Sequence, residues 1–201
     1  MKRTVAPLIP KSSKPDGRRE RTKHTHAAIV VALTELLDEG RIEPTAAEIA
    51  ERAGVALRSI GQHFSSREEL LLAVAEYNAA RFPQARLDVN ASFEDRLSAF
   101  VKDRAKTLEA SRPMRQAAAA VAARSPSVAV AVRRTADERH AVTTRLFARE
   151  IAEAEDPEAT DRAVALLTSG RAWDSLRGDM GLGTNAARQQ LTFTLRALLH
   201  R

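Results

Sequence analysis

The residues best suited to a specific chemical task are polar side chains that recur at helical spacing in one short stretch. Arg58 could donate two hydrogen bonds to a guanine edge, and Gln62 could pair in the same way with adenine. Ser59 could contact a base or a phosphate. His63 could donate to a phosphate, and the alternative for this residue is to pack beside Phe64. These residue types predict hydrogen bonding to nucleic acid.

A helix-turn-helix pattern would present these side chains to DNA. Ala50 supplies the small residue that two steeply crossing helices need at their contact, and Gly54 tolerates the positive φ of a tight turn. Four apolar residues would fill the wedge between the helices: Ile49, Ala53, Val55 and Ile60. With these turned inward, Leu57 joins the polar residues on the outer face, whose first turns would meet base edges in a major groove.

Helix-start signals bracket this pattern. The capping-box sequence Thr45-Ala46-Ala47-Glu48 predicts the start of the first helix, with Thr45 as its cap and close to a phosphate. The sequence Ser65-Ser66-Arg67-Glu68 predicts the start of a following helix, where Arg67 is a candidate phosphate contact. Together with an earlier amphipathic helix that begins near Thr22, the two crossing helices form a three-helix head.

The formal net charge of +6 is confined to the N-terminus. Residues 1–24 contain eight Lys and Arg against two acidic residues, whereas residues 25–201 contain 24 side chains of each sign. We predict a disordered basic arm over residues 1–21 that binds a polyanion, either nucleic acid or an anionic membrane surface, with a solubilising tail as the alternative. The basic residues expected to contact phosphates or enter a minor groove are Arg18, Arg19, Arg21 and Lys23.

The segment from about Thr22 to Asn78 resembles the N-terminal head of the TetR (tetracycline-repressor) family. The matching positions are Thr45, Ile49-Ala50, Ala53-Gly54-Val55, Ile60, His63-Phe64 and the run from Ser66 to Leu71. A weaker similarity continues through Trp173–Arg177 and Gly181-Leu182 to an Ala- and Leu-rich last helix. The resemblance implies a homodimer whose heads bind a palindromic operator in double-stranded DNA, with a ligand pocket in the C-terminal domain.

Three positions depart from the family pattern. Ala56 stands where the family usually has Ser or another helix-capping residue. Gly61 stands where it usually has a Tyr that contacts phosphate, and Arg67 replaces the usual Lys. Because Gly should loosen the recognition helix by up to about 1 kcal/mol relative to Ala, we expect other phosphate contacts, including those of the arm, to carry more of the affinity.

The rest of the chain has helical periodicity and lacks the alternation of a half-buried strand. Further helix starts are marked by Ser92, Ser125-Pro126, Asp156-Pro157 and Thr184. The sequence therefore predicts an all-α protein of about nine helices. Its parts are the arm at 1–21, a helix-turn-helix domain at 22–75, and a helical domain for effector binding and dimerisation at 76–201.

The helical body offers candidates for a ligand pocket. The residues proposed to line it are Phe100, Arg104, Met114, Val121, Phe147 and Trp173. Plain core packing is the alternative for the apolar members. Arg104 and Arg115 could meet an anionic ligand.

The last two helices are the candidate dimer interface. Leu166, Gly170, Trp173 and Leu176 lie close to one face, as do Leu191, Leu195 and Leu198 on the last helix. Two such helices from each subunit could form a four-helix interface, as the resemblance suggests. The alternative is an intramolecular core.

Several classes of protein are disfavoured. Cysteine is absent, which excludes disulfides and thiolate metal sites. His24 and His26 would lie on different faces of a helix, and His140 is expected to be an ordinary interhelical or solvated histidine, so no metal site is favoured. We also expect no cofactor, no signal peptide, no membrane span and a cytoplasmic location. Since no catalytic constellation stands out, we expect a DNA-binding transcriptional regulator, a homodimeric repressor released by a small molecule, and not an enzyme. The alternative is an all-α enzyme or ligand-binding protein whose head does not read DNA.

Overall fold

The computed structural model describes residues 17–41, 43–83 and 85–200, and this part of the chain forms eleven α-helices without a strand. The prediction of an all-α fold is confirmed. There are more helices than the nine or so predicted because two long runs are interrupted. Pro113 lies in the first turn of a helix that restarts after Ser111, and Phe147 interrupts a second run.

The first four helices form the head: α1 (Gly17–Asp38), α2 (Ala46–Ala53), α3 (Leu57–His63) and α4 (Arg67–Arg81). The other seven form the body: α5 (Phe93–Ala110), α6 (Arg112–Ala122), α7 (Pro126–Leu146), α8 (Ala148–Ala152), α9 (Pro157–Leu167), α10 (Gly170–Arg177) and α11 (Thr184–Leu199). Among the described residues, none of these helices is long and apolar enough to span a membrane.

Helix α1 begins at Gly17, five residues before the predicted start at Thr22. The predicted arm therefore overlaps the helix at residues 17–21, and residues 1–16 lie outside the described part of the chain. Arg and Glu are good helix formers, and Glu20 lies in the first turn, where a negative charge is favourable. Arg21 Nε also donates to the Gly17 carbonyl oxygen at 3.0 Å.

Several helix starts have the capping residue that the sequence predicted. Ser92, Ser125 and Asp156 each accept from a backbone N–H of the helix they precede. At the start of α4 the capping box is displaced by one residue, because Ser66 is the cap and accepts from the Glu69 N–H. The Glu69 carboxylate in turn accepts from the backbone N–H of Ser65 at 2.6 Å.

One apolar cluster joins the head to the body. Its head members include Ile29, Leu33, Ile49, Phe64, Leu71 and Val74. Its body members are Ala117 and Val121 on α6 and Val128 on α7. Helix α6 accordingly packs against α1 and α4, and α7 packs against α4. The head is therefore not an independent unit of packing.

A second cluster forms the centre of the body. Its buried members include Leu97, Phe100, Leu108, Phe147, Val164, Trp173, Leu191 and Leu195. The residues come from α5, α7–α11 and the junctions between them. Thus α6 is the helix whose C-terminal half belongs to the first cluster, while its N-terminal end contacts α5 and α10 of the second.

A buried ion pair ties α5 to α8. Arg96 donates to Glu150 at 2.5 and 3.0 Å, and their side chains are only 7% and 11% exposed. Arg96 also donates to the carbonyl oxygens of Ala91 and Leu146. Burial opposes ionisation of Glu150, but the hydrogen bond and charge of Arg96 outweigh it and lower the pKa of this carboxyl.

We predict that Glu150→Ala lowers the free energy of unfolding by about 3–5 kcal/mol, because it leaves Arg96 as a buried cation without its carboxylate. Chemical denaturation at neutral pH measures this. The neighbouring pair Arg149–Glu153 is the matched control, since its side chains are 80% and 65% exposed; Glu153→Ala should change stability by less than about 0.5 kcal/mol. Because the folded pKa of Glu150 is lowered, its contribution should be present above the unfolded pKa and lost as pH falls through the folded one. Equal effects of the two substitutions would contradict this account.

Candidate nucleic-acid interface

Helix α3 presents the predicted base-reading side chains on its outer surface. Arg58 and Gln62 are exposed, Leu57 is 57% exposed, and Ser59 is half-buried. An exposed leucine of this size on a seven-residue helix is unfavourable in water. In a major groove it could contact a thymine methyl group, while Arg58 and Gln62 could pair with base edges.

The turn between α2 and α3 sets the position of this surface. Gly54 has φ +65°, the left-handed conformation that favours glycine, and its N–H and that of Val55 donate to carbonyl oxygens of α2. Ile49 and Ala50 are buried, and Ala53, Val55 and Ile60 pack half-buried against the head core. The inward residues predicted from the sequence therefore face inward in the structure.

Tertiary packing, more than local sequence, holds α3 in place. Ala56 makes no side-chain hydrogen bond to the start of the helix. Gly61 is exposed, and a β-carbon built there meets nothing within 4 Å. A seven-residue helix with neither a cap nor good propensity is unstable alone, so its geometry depends on the contacts of Ile60 and Phe64.

The start of α2 is fixed by a complete capping box. The Thr45 hydroxyl accepts from the Glu48 N–H at 3.3 Å, and the Glu48 carboxylate accepts from the Thr45 N–H at 2.7 Å. Hydrogen bonds from Thr45 and the charge of Arg41 keep the pKa of Glu48 below its ordinary value. Thr45 therefore caps its helix as predicted, while its proximity to a phosphate stays a prediction.

Arg67 has a structural partner that the sequence did not indicate. Its Nη1 donates to the carbonyl oxygen of Pro44 at 2.8 Å and thereby links the start of α4 to the start of α2. Arg67 is nevertheless exposed. Since a guanidinium has five N–H donors, phosphate binding and this contact are compatible.

His63 contacts a second histidine of the head. His63 is half-buried, and its ring meets that of His26 on α1 edge-on, with centroids 6.1 Å apart. The His26 ring also lies 4.5 Å from that of Phe64. His63 thus has an aromatic neighbour, but the ring found beside Phe64 is that of His26, and packing of His63 itself beside Phe64 stays a prediction. The described residues contain no group of three His, Asp or Glu side chains that could hold a metal ion.

The basic residues predicted for the arm lie partly on a helix. Arg19, Arg21 and Lys23 are exposed on the first turns of α1, whereas the side chain of Arg18 lies outside the described part of the chain. A helix fixes the spacing of these charges, which a disordered arm would not. They therefore form a positively charged helix start where the predicted arm and α1 overlap.

The apolar residues among the six predicted ligand-lining positions are divided between the two apolar clusters. Phe100, Phe147 and Trp173 belong to the body cluster, whereas Met114 and Val121 belong to the cluster shared with the head. Apolar residues at helical spacing are used first to bury one another. Two open grooves of about 770 and 570 Å³, beside α5 and α11, include none of the six. The pocket composed of these residues stays a prediction.

Trp173 supports the intramolecular alternative. It is 1% exposed, and its Nε1 donates to Glu109 Oε1 at 2.6 Å. Arg177 Nε donates to the same oxygen at 2.7 Å. Leu191 and Leu195 are likewise buried within their own chain. These inward faces of α10 and α11 are therefore not free to form an interface.

Comparisons with known proteins agree with this geometry. Residues 29–74 match the family model described as bacterial regulatory proteins, tetR family. The matched segment runs from α1 into α4 and includes the whole of α2 and α3. No curated protein matches the chain.

A solved structure extends the similarity of fold to the body. A transcriptional regulator from Rhodococcus sp. Rha1 superposes with a TM-score of 0.65 at 18% identity, covering 89% of this chain and 95% of that one. At this identity the similarity concerns the fold. The helix-turn-helix geometry and the family model together assign residues 29–74 to the DNA-binding head of the tetR family of bacterial regulatory proteins, and the solved structure shows that the whole fold is shared with a known protein.

Proposed function

We propose that the protein is a homodimeric repressor that binds a palindromic operator and is released from it by a small-molecule effector. The observation that carries the DNA-binding part is the outward face of α3, where Leu57, Arg58 and Gln62 are exposed. The turn at Gly54 sets the position of this helix. Two such heads on a twofold axis could enter successive major grooves about 34–36 Å apart. We place this activity in the cytoplasm, where it would meet chromosomal DNA.

The outer faces of α9 and α11 support the homodimer. Leu166 on α9 is 68% exposed and Phe193 on α11 is 67% exposed, although the opposite faces of both helices are buried in the body. Helices α9 and α11 pack against each other. A second copy would cover these side chains. In this proposal α11 contributes to the dimer interface, as expected of the last helix. Helix α9 contributes to it in addition to α10.

Helix α6 is the proposed connection between effector and head. Near its start, Arg115 donates to Asp174 of α10 at 2.8 Å. Farther along, Ala117 and Val121 are packed in the cluster that contains the head helices. Since close-packed side chains cannot move singly, displacement of α6 would change the packing of α1 and α4 and so the spacing of the heads.

The effector must distinguish two spacings of the heads. A ligand that binds both conformations equally shifts nothing, however tightly it binds. By reciprocity, operator DNA should weaken effector binding by the same factor by which the effector weakens DNA binding. Recovering the genomic fragments that the protein selects provides the operator needed for these measurements. Recovery of fragments without a common sequence would contradict sequence-specific binding.

We predict that Arg58→Ala and Gln62→Ala each weaken binding to the selected operator by about 1–3 kcal/mol and relax the preference at particular base pairs. Fluorescence anisotropy with operator and scrambled fragments of equal length measures both effects. Arg133→Ala on α7, an exposed position in the body, is the matched control and should leave discrimination unchanged. Unaltered discrimination in Arg58→Ala would refute the assignment of α3 as the reading helix.

The basic N-terminus should contribute affinity without sequence preference. Deleting residues 1–16, which removes Lys2, Arg3, Lys11 and Lys14 but keeps α1, should weaken binding to operator and scrambled DNA together. Because each neutralised phosphate adds about 0.9 to the slope of log K against log salt, loss of up to four contacts from each of the two subunits should flatten the slope by up to about 7. The full-length chain with these four residues replaced by Gln is the control for length. An unchanged slope in both variants would exclude the arm from DNA binding.

A further inference from the structure

Three half-buried arginines come together from three successive helices of the body. They are Arg104 on α5, Arg115 on α6 and Arg139 on α7. Both Arg115 and Arg139 are close enough to Arg104 for their charges to repel it, and Arg139 acts in the same way on Arg115. Like charges placed together away from water are unfavourable unless a negative group compensates them.

Arg104 is held by a backbone carbonyl and has no carboxylate in contact. Its Nε and Nη2 donate to the Thr168 carbonyl oxygen at 2.8 and 2.6 Å. Burial, followed by the charges of Arg139 and Arg115, lowers the pKa of Arg104 to about 10. Since this pKa lies below the ordinary value for arginine, the charge opposes folding at neutral pH, where the group remains protonated.

Arg115 leaves one buried donor without an acceptor. Its Nη1 donates to the Leu108 carbonyl oxygen and the Ser111 hydroxyl, and its Nη2 donates to Asp174. Its Nε is buried and has no hydrogen-bond partner in the described part of the chain. The side chain lies so close to Gly170 that a β-carbon there would overlap it. Glycine at this position therefore gives the guanidinium room beside the start of α10.

Arg139 is the least compensated of the three. Within residues 17–41, 43–83 and 85–200, its side chain forms neither a hydrogen bond nor an ion pair of 4 Å or less. Burial lowers its pKa, and only the charge of Asp103 acts in the opposite direction. A charged side chain is thus withdrawn from water without a direct partner.

Two other arginines of the body each contact a carboxylate directly. Arg96 has the carboxylate of Glu150, and Arg177 has that of Glu109. Arg104 and Arg139 lack such a contact, and the Asp174 carboxylate is shared between Arg112 and Arg115. The arrangement is what an external anion would require: donors from separate helices whose charge is not already neutralised.

We propose that Arg104, Arg115 and Arg139 bind the carboxylate or phosphate group of a small anionic effector. This inference rests on the proposed function for the ligand's regulatory role, but anion binding itself does not depend on DNA. The location also suits a regulator, because Arg115 lies on the same helix as Val121, which is buried in the core shared with the head. Neutralising these charges would stabilise one arrangement of α5, α6 and α7.

The test measures the unfolding midpoint and the binding heat of the full chain with inorganic phosphate and, separately, with benzoate, at constant ionic strength against chloride. We expect a saturable stabilisation by at least one of the two anions. The anion that stabilises the protein shows whether the site binds phosphate or carboxylate groups. Arg139→Gln should weaken this binding by about tenfold or more. Arg133→Gln, an exposed arginine of the same helix, should leave it unchanged.

A second readout separates a binding role from a structural one. Without added anion, Arg139→Gln should be as stable as the parent or more stable, because a poorly compensated charge is removed. A lower midpoint for Arg139→Gln, unchanged anion affinity in this variant, or no saturable response to either anion would overturn the proposal.

The DNA measurement distinguishes this inference from the proposed function. Anion binding that depends on Arg139 but leaves operator affinity unchanged would support the site and refute release by its ligand. Sequence-specific DNA binding without any anion response would refute the site and leave the DNA-binding function intact.

Discussion

The packing of α6 against the head is the constraint on which the rest of the structure depends. Ala117 and Val121 are buried in the same cluster as Ile29, Leu33 and Val74. The small side chain of Ala117 allows α6 to approach the head helices closely, and Val121 fills the space one turn farther along. Without this contact the head would be a small bundle with a limited core. With it, the orientation of α3 depends on residues of the body as well as on those of the head.

Local signals in the sequence were sufficient to predict the head. Thr45, Gly54 and the inward apolar positions act through contacts a few residues away, and each occupies the predicted conformation or face. The exposure of Arg58 and Gln62 follows from the same periodicity. The displaced cap at Ser66 shows the limit of this approach, because two adjacent serines satisfy the same pattern and only the geometry selects between them.

Contacts between distant residues could not be predicted in this way. Trp173 and Glu109 are 64 positions apart, as are Arg104 and Thr168. Arg67 has its partner at Pro44, on the other side of the helix-turn-helix. Apolar periodicity identifies a buried face but not the helix that covers it. The same pattern therefore left a ligand pocket, a dimer interface and an intramolecular core open for Phe100, Trp173 and Leu195, which the structure buries in the body cluster.

The central claim is that head and body form one coupled unit through α6, and hydrogen exchange on the protein bound to its operator tests it directly. The account predicts slower exchange on DNA binding for α6 amides between Ala117 and Ala122, in addition to those of α2 and α3, because fixing the head also restricts the helix packed against it. Scrambled DNA at equal occupancy is the control for nonspecific contact. Protection confined to residues 45–67, with α6 exchange unchanged, would contradict the account.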